Sequence, residues 1–198
     1  MSERNTLMRS LHDIGLAAWF GGSLMGAVGL NGAAETEGGT RAATARISSA
    51  GWAKWTPVNA AAIGLHLFGS GGMLASDAPR VATQQGAAAA TLAKTVVTGA
   101  ALAATAYSRI LGKKIELASS DDPKDAEKAA KHPIDTDKAQ RHLSYAQWAV
   151  PALTGCLVVL GALHGEQQRY AAQTQGMWQR ARSMAPHMPS VPDWRFSR

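Results

Sequence analysis

The sequence predicts an all-α protein, an integral membrane bundle of four helices. Four apolar segments are each about as long as a helix that crosses a bilayer, and no segment shows the alternation of a strand. Only 17% of the residues are charged, against about 25% in ordinary soluble domains. A soluble, alanine-rich helical bundle is the alternative fold, because mean hydropathy is slightly negative and alanine supplies much of two segments.

The first predicted span is Ile14 to Ala34, 21 residues without a formal charge. At about 1.5 Å per residue, a helix of this length crosses the hydrocarbon of a bilayer. Within it, Gly22 and Gly26 form a small-xxx-small pattern, which allows a second helix to approach closely. We therefore predict that these two glycines form a helix-packing face.

The other three predicted spans are residues 55–75, 87–108 and 145–165. Pro57 lies near the start of the second span, where a helix tolerates proline. Together with the first span they predict a membrane bundle over residues 1–165.

Two polar connections and a basic tail lie between and after these spans. A segment rich in Gly, Thr, Arg and Ser, residues 35–54, joins the first two spans. The longer connection, residues 113–144, carries seven basic and seven acidic residues and predicts a solvated, partly helical loop. Residues 166–198 predict a basic extramembrane tail that ends in a proline-rich stretch.

The distribution of basic residues predicts the orientation. One side of the bundle has eleven of them and the other has eight, and an excess of Lys and Arg marks the cytoplasmic side. Five aromatic residues fall at the same interface as the eleven: Trp52, Trp55, Tyr107, Tyr145 and Trp148. We expect a multi-pass protein of the bacterial cytoplasmic membrane with both termini outside.

Three titratable residues in or beside the spans need a partner or a route to water, because charge inside a bilayer is costly. His66, near the middle of the second span, is predicted either to hydrogen-bond a backbone carbonyl or hydroxyl, or to act as a ligand or proton relay. Lys94 is predicted either to extend its long stem to the interface or to pair with Asp13.

A metal site is predicted at the outer face. There the topology brings His12, Met73 and His164 to one level, with His66 deeper and Met8 one turn before His12. Histidine and methionine together suit Cu(I). A haem held by His12 and His66 is a separate hypothesis, although the expected topology places the two residues at different depths.

Several classes of function lack their sequence patterns. The basic residues, with a net charge of +6, cluster beside apolar runs rather than among aromatic residues, so nucleic acid is not an expected partner. No phosphate loop, nucleophile elbow or HExxH pattern appears, so an enzyme is not expected. The single Cys156 excludes an intrachain disulfide.

The segment His12-x6-Trp19-x-Gly21-Gly22 resembles the opening of CopD-type copper-resistance membrane proteins and of related small four-helix membrane families of unknown role. The third span, with Lys94 early and Arg109 at its close, resembles a helix of the same proteins. The similarity covers about 50 residues. It implies a four-helix membrane unit and, for the CopD members alone, copper handling. The long charged connection and the basic tail depart from that pattern.

Two functional hypotheses follow. In the first, the protein is a non-enzymatic structural or accessory subunit that needs no cofactor and packs against other membrane proteins or a second copy of itself. In the second, it handles or transports a metal ion of the copper type, or binds haem, through His12, His66, Met73 and His164. The first is preferred, because a transport path normally needs several spare polar groups inside the spans.

Overall fold

The computed structural model describes residues 3–83, 85–120 and 122–184, and all regular structure within these ranges is helical. It has six α-helices: α1 (Glu3–Met25), α2 (Asn31–Gly38), α3 (Arg41–Thr83), α4 (Gln85–Ala118), α5 (Pro123–Lys131) and α6 (Thr136–Met184). A π-helical segment, Gly26–Leu30, joins α1 to α2. The predicted all-α class is confirmed for the described residues.

Within the described residues, four stretches are long and apolar enough to cross a membrane: Thr6–Gly38, Arg41–Pro79, Gly86–Ala118 and Thr136–Glu166. They contain the four predicted spans and extend beyond each of them. The helices extend beyond the predicted spans because the polar residues at their ends are compatible with helical structure. Each helix ends only where a residue disfavours that structure.

The turn between α2 and α3 shows this most clearly. The polar connection expected over residues 35–54 is helical except at Gly39 and Thr40. Gly39 has a φ of +63°, a conformation that glycine adopts without strain. The hydroxyl of Thr40 then accepts a hydrogen bond from the backbone N–H of Ala43 at 3.2 Å, which caps the start of α3.

Helices α1 and α3 pack antiparallel with their backbones in close contact. A Cβ built on Gly15 of α1 would stand 2.5 Å from the carbonyl oxygen of Ala62, and one built on Gly69 of α3 would stand 2.5 Å from the backbone nitrogen of His12. Only glycine fits at both positions. Glycine at these two points therefore sets both the separation and the register of the two helices.

Further along the same interface, indole rings of α3 fill the space beside glycines of α1 and the π-helical segment. The ring of Trp55 lies against Gly22, and the ring of Trp52 lies against Gly26. The two glycines predicted as a packing face thus pack against side chains of the same chain. The close approaches of one backbone to the other are elsewhere, at Gly15 and Gly69.

All four long helices contribute to one small core. Trp19, Ala62, Ala101 and Val150 are buried together, one from each of α1, α3, α4 and α6. Trp19 is fully buried, and its indole N–H donates a hydrogen bond to Thr105 Oγ1 at 3.2 Å. The tryptophan therefore connects α1 to α4.

The charged connection predicted over residues 113–144 is largely helical. It contains the end of α4, all of α5 and the start of α6. Asp122 caps α5 by accepting a hydrogen bond from the backbone N–H of Lys124 at 2.8 Å. An exposed ion pair between Arg41 and Asp137 links the start of α3 to that of α6.

The chain divides into two compact units, Met1–Leu160 and Gly161–Arg198. The first holds α1 to α5, the first part of α6 and the core described above. The second holds the remainder of α6, in which Met177 and Trp178 are exposed. Residues 185–198 of the predicted tail lie outside the described residues.

Candidate functional site

Two of the predicted site residues, His12 and His66, are in direct contact. Their ring centroids are 4.3 Å apart, and the ring planes are nearly perpendicular at 76°. The contact differs from the expected separation in depth. It arises because Gly15 and Gly69 bring α1 and α3 together at this level, with His12 and His66 each three residues from one of these glycines.

His66 is anchored by the backbone of the opposite helix. Its side chain is 2% exposed, and its Nδ1 lies 3.4 Å from the carbonyl oxygen of His12. Because a carbonyl only accepts, Nδ1 carries the proton in this contact. The centroid of the Trp19 ring lies 6.0 Å from that of the His66 ring. This arrangement matches the predicted structural role, a histidine bonded to a backbone carbonyl.

His12 has a different environment. Its Nδ1 is buried and has no hydrogen-bond partner among the described residues. Arg9, Asp13 and Lys94 are close enough for their charges to act on the ring. No ion pair within 4 Å joins Asp13 to Lys94 in the part of the chain that the structure describes. The predicted buried pair is therefore a looser cluster of charges around His12.

The other predicted metal ligands are placed as follows. Met73 is half-buried on α3, seven residues after His66, so it lies about two helical turns, or about 10 Å, along the axis from it. Met8 lies on α1 at the level of Gly69 and Gly72 of α3, and its Sδ lies against Gly72. His164 belongs to the second unit, Gly161–Arg198, whereas the other three residues belong to the first.

These positions restrict what the histidine pair can hold. No group of three His, Cys, Asp or Glu side chains that could hold a metal ion occurs among the described residues. Axial histidines of a haem stand on opposite faces of the porphyrin, whereas the rings of His12 and His66 touch edge to face. The contact leaves no space for a porphyrin between them.

The first unit also contains a cavity, which was not predicted from the sequence. This cavity, of about 760 Å³, opens between the four long helices. Its wall carries a relay of hydrogen bonds: Trp52 Nε1 donates to Asn31 Oδ1 at 3.0 Å, and Asn31 Nδ2 donates to Gln147 Oε1 at 2.9 Å. Three helical segments are thereby joined at one level, α3 through α2 to α6.

Two further polar atoms in the same wall have no hydrogen-bond partner within the described residues. They are Nε1 of Trp55 and Oδ1 of Asn59, both buried. The sequence held a clue to this cavity, because Asn59 and Thr56 are polar residues inside an apolar span. Their common direction, however, depends on how α3 is rotated in the bundle.

Comparison with known proteins found no match for this chain. No family model, no curated protein and no solved structure is similar to it. The resemblance to CopD-type proteins stays a prediction.

Proposed function

We propose that the chain is an integral membrane protein with four spanning helices that acts as a non-enzymatic accessory or structural subunit packing against another membrane protein. The observation that carries this proposal is the exposure of α4. Only 6% of the most apolar part of Gly86–Ala118 is buried inside the protein, against 33% for that of Thr6–Gly38. An apolar face of that extent is stable only in lipid or against a partner.

The exposed side of α4 has the composition of a helix-contact surface. Leu92 and Val96 are 65% and 61% exposed, and Ile110 is also exposed. Between them, a Cβ on Gly99 would meet nothing within 4 Å, and Ala103 is exposed one turn further on. Gly99-x-x-x-Ala103 is a small-xxx-small pair, which allows the backbone of another helix to approach.

The Gly99–Ala103 pair is exposed to a partner, whereas the predicted pair is not. Gly22 and Gly26 are covered by Trp55 and Trp52 of the same chain. Gly99 faces outward. A partner helix therefore has a matching surface on α4 rather than on α1.

Site-specific photo-crosslinking in cells tests the partner role. A photoreactive residue at Val96 should form an adduct with a second protein, whereas the same residue at Val158, an exposed position on α6, should crosslink to lipid. Mass spectrometry of the Val96 adduct distinguishes a different protein from a second copy of this chain. Lipid adducts alone at both positions would remove the accessory role.

Membrane insertion itself is tested by alkaline carbonate extraction. The four apolar helices should keep the protein in the membrane pellet. Release into the supernatant would favour the alternative of a soluble alanine-rich bundle.

A second candidate function, binding of a copper-type ion, is favoured by the histidine pair. His12 offers a buried ring nitrogen without a partner, and the thioether of Met8 lies against α3 near Gly72 at the same end. Imidazole and thioether are ligands for Cu(I). No group of three His, Cys, Asp or Glu side chains that could hold a metal ion occurs among the described residues, so this function ranks second.

Metal analysis of the purified protein tests the second candidate. One copper per chain, lost in His12→Ala and retained in His132→Ala on the connection after α5, would support it. A protein that folds and binds no copper under reducing conditions would end it.

A further inference from the structure

We propose that the cavity between the four long helices binds an uncharged, largely apolar alcohol or phenol, whose hydroxyl is held by Trp55 and Asn59. The proposal is independent of the partner role of α4, which concerns the outer surface. It rests on the size of the cavity, on two polar atoms in its wall, and on the balance of charge around it.

The cavity has the dimensions of a small-molecule site. Its volume of about 760 Å³ lies within the range of about 300–1,000 Å³ that is typical of such sites. Much of its wall is apolar or aromatic, including Trp52, Ile63, Leu102 and Val150. A wall of this kind favours an apolar body with few polar groups.

The two unpartnered atoms specify one polar group. Trp55 and Asn59 are four residues apart on α3, so their side chains are neighbours on one face of the helix. The indole Nε1 is a donor only, and Oδ1 of the amide is an acceptor. A single hydroxyl accepts from the first and donates to the second, and it satisfies both.

Two other polar side chains of the wall are already engaged. Thr56 donates its hydroxyl to the carbonyl oxygen of Trp52 at 2.8 Å. The amide of Asn31 is held on both sides, by Trp52 and by Gln147. Among the described residues that line the cavity, only Trp55 and Asn59 have a buried side-chain polar atom without a hydrogen-bond partner.

The charges that line the cavity balance. Two are acidic and two are basic: Glu35, Glu116, Arg41 and Arg109. Arg41 is paired with Asp137, and Glu116 with Lys113 at 2.7 Å. Since the lining has no net charge, it favours a neutral ligand over an ionic one.

Equilibrium dialysis of the detergent-purified protein tests the site with two matched probes. 2-Naphthol carries the hydroxyl, whereas 2-methoxynaphthalene has the same rings but cannot donate. Empty micelles of the same detergent give the background of partitioning. We expect saturable binding of 2-naphthol, about tenfold tighter than that of the ether, since one hydrogen bond to a buried acceptor is of that size.

Two variants locate the hydroxyl. Asn59→Leu should weaken 2-naphthol binding about tenfold and leave binding of the ether unchanged, because it removes the acceptor of the hydroxyl proton and the ether has no such proton. Thr56→Val is the matched control, since that hydroxyl is bonded to its own helix, and it should leave both affinities unchanged.

The comparison of the two probes on the unaltered protein keeps the test decisive even where Asn59→Leu fails to fold. Equal affinities for 2-naphthol and the ether would show that shape alone governs binding. Uptake no greater than that of empty micelles would show that the cavity takes up no ligand of this kind. Either result would overturn the proposal.

Discussion

Gly15 of α1 lies so close to Ala62 of α3 that a Cβ on the glycine would stand 2.5 Å from the alanine carbonyl oxygen. The same virtual atom would also stand 2.5 Å from the backbone nitrogen of His66. Both neighbours are backbone atoms, which cannot rotate aside as a side chain can. The two helices would have to move apart to admit a methyl group.

Gly15→Ala should therefore destabilise the protein, by about 1–3 kcal/mol, the usual range for overpacking. Thermal unfolding in detergent measures the effect. Gly21→Ala is the matched control on the same helix, because a Cβ there would meet nothing within 4 Å. An unchanged unfolding temperature for Gly15→Ala would mean that α1 and α3 are not in contact at this point.

The bond between Trp19 and Thr105 should contribute a measurable coupling energy. In a double-mutant cycle of Trp19→Phe and Thr105→Val, we expect a coupling of about 0.6 kcal/mol, the average for hydrogen bonds between membrane helices. The cycle is needed because Trp19→Phe also leaves a cavity and Thr105 also donates to the carbonyl oxygen of Ala101 at 2.8 Å.

A second cycle provides the control for this coupling. Thr95 donates to the carbonyl oxygen of Thr91 within α4 and is exposed. The effects of Trp19→Phe and Thr95→Val should simply add. Equal coupling in both cycles would indicate a general loosening of α4 rather than a bond to Trp19.

Sequence reasoning found the helices but not their register. The apolar spans were evident because their length and lack of charge are local properties of the sequence. Residues 35–54 were expected to form a connection because they are polar, yet polar residues also extend helices, and only Gly39 and Thr40 break the chain. The helices of the structure therefore extend several residues beyond the predicted spans.

The contact between His12 and His66 could not be predicted in the same way. It depends on which turn of α1 meets which turn of α3, and that is fixed by Gly15 and Gly69 among many glycines in the sequence. The cavity involves, in addition, the π-helical segment Gly26–Leu30, whose Ala27 lines it. Asn31, the next residue, bonds to Trp52 of α3 and to Gln147 of α6, and local sequence patterns do not predict bonds between such distant residues.

The start of α5 should respond to pH through Asp125. The hydroxyl of Ser120 donates to this carboxylate at 3.1 Å, and with the ammonium group of Lys128 it holds the pKa of Asp125 below its usual value. Because the pKa is lowered on folding, the bonds stabilise the helix above the unfolded pKa, and this is lost as the pH falls through the folded pKa.

NMR titration of the Asp125 side chain checks this linkage. Ser120→Ala should raise the pKa toward its usual value, since the first of the two donors is gone. Lys114→Ala, in the last turns of α4, serves as a control that removes a charge without removing a bond to Asp125. A pKa unaffected by Ser120→Ala would mean that the hydrogen bond does not persist in solution.

The proposed topology gives the most direct prediction for labelling in cells. With both termini outside, the turn after α2 and the helix α5 lie in the cytoplasm, and the end of α3 lies outside. In a Cys156→Ser background, an impermeant maleimide should label Ala82→Cys in intact cells. Glu37→Cys and Lys128→Cys should react only after permeabilisation, because the bilayer separates them from the reagent. The reverse labelling pattern would mean that the protein has four spans but the opposite orientation. The difference between eleven and eight basic residues is small enough to allow that orientation. Glu37 and Lys128 on opposite sides would contradict the topology, since an even number of crossings must lie between them.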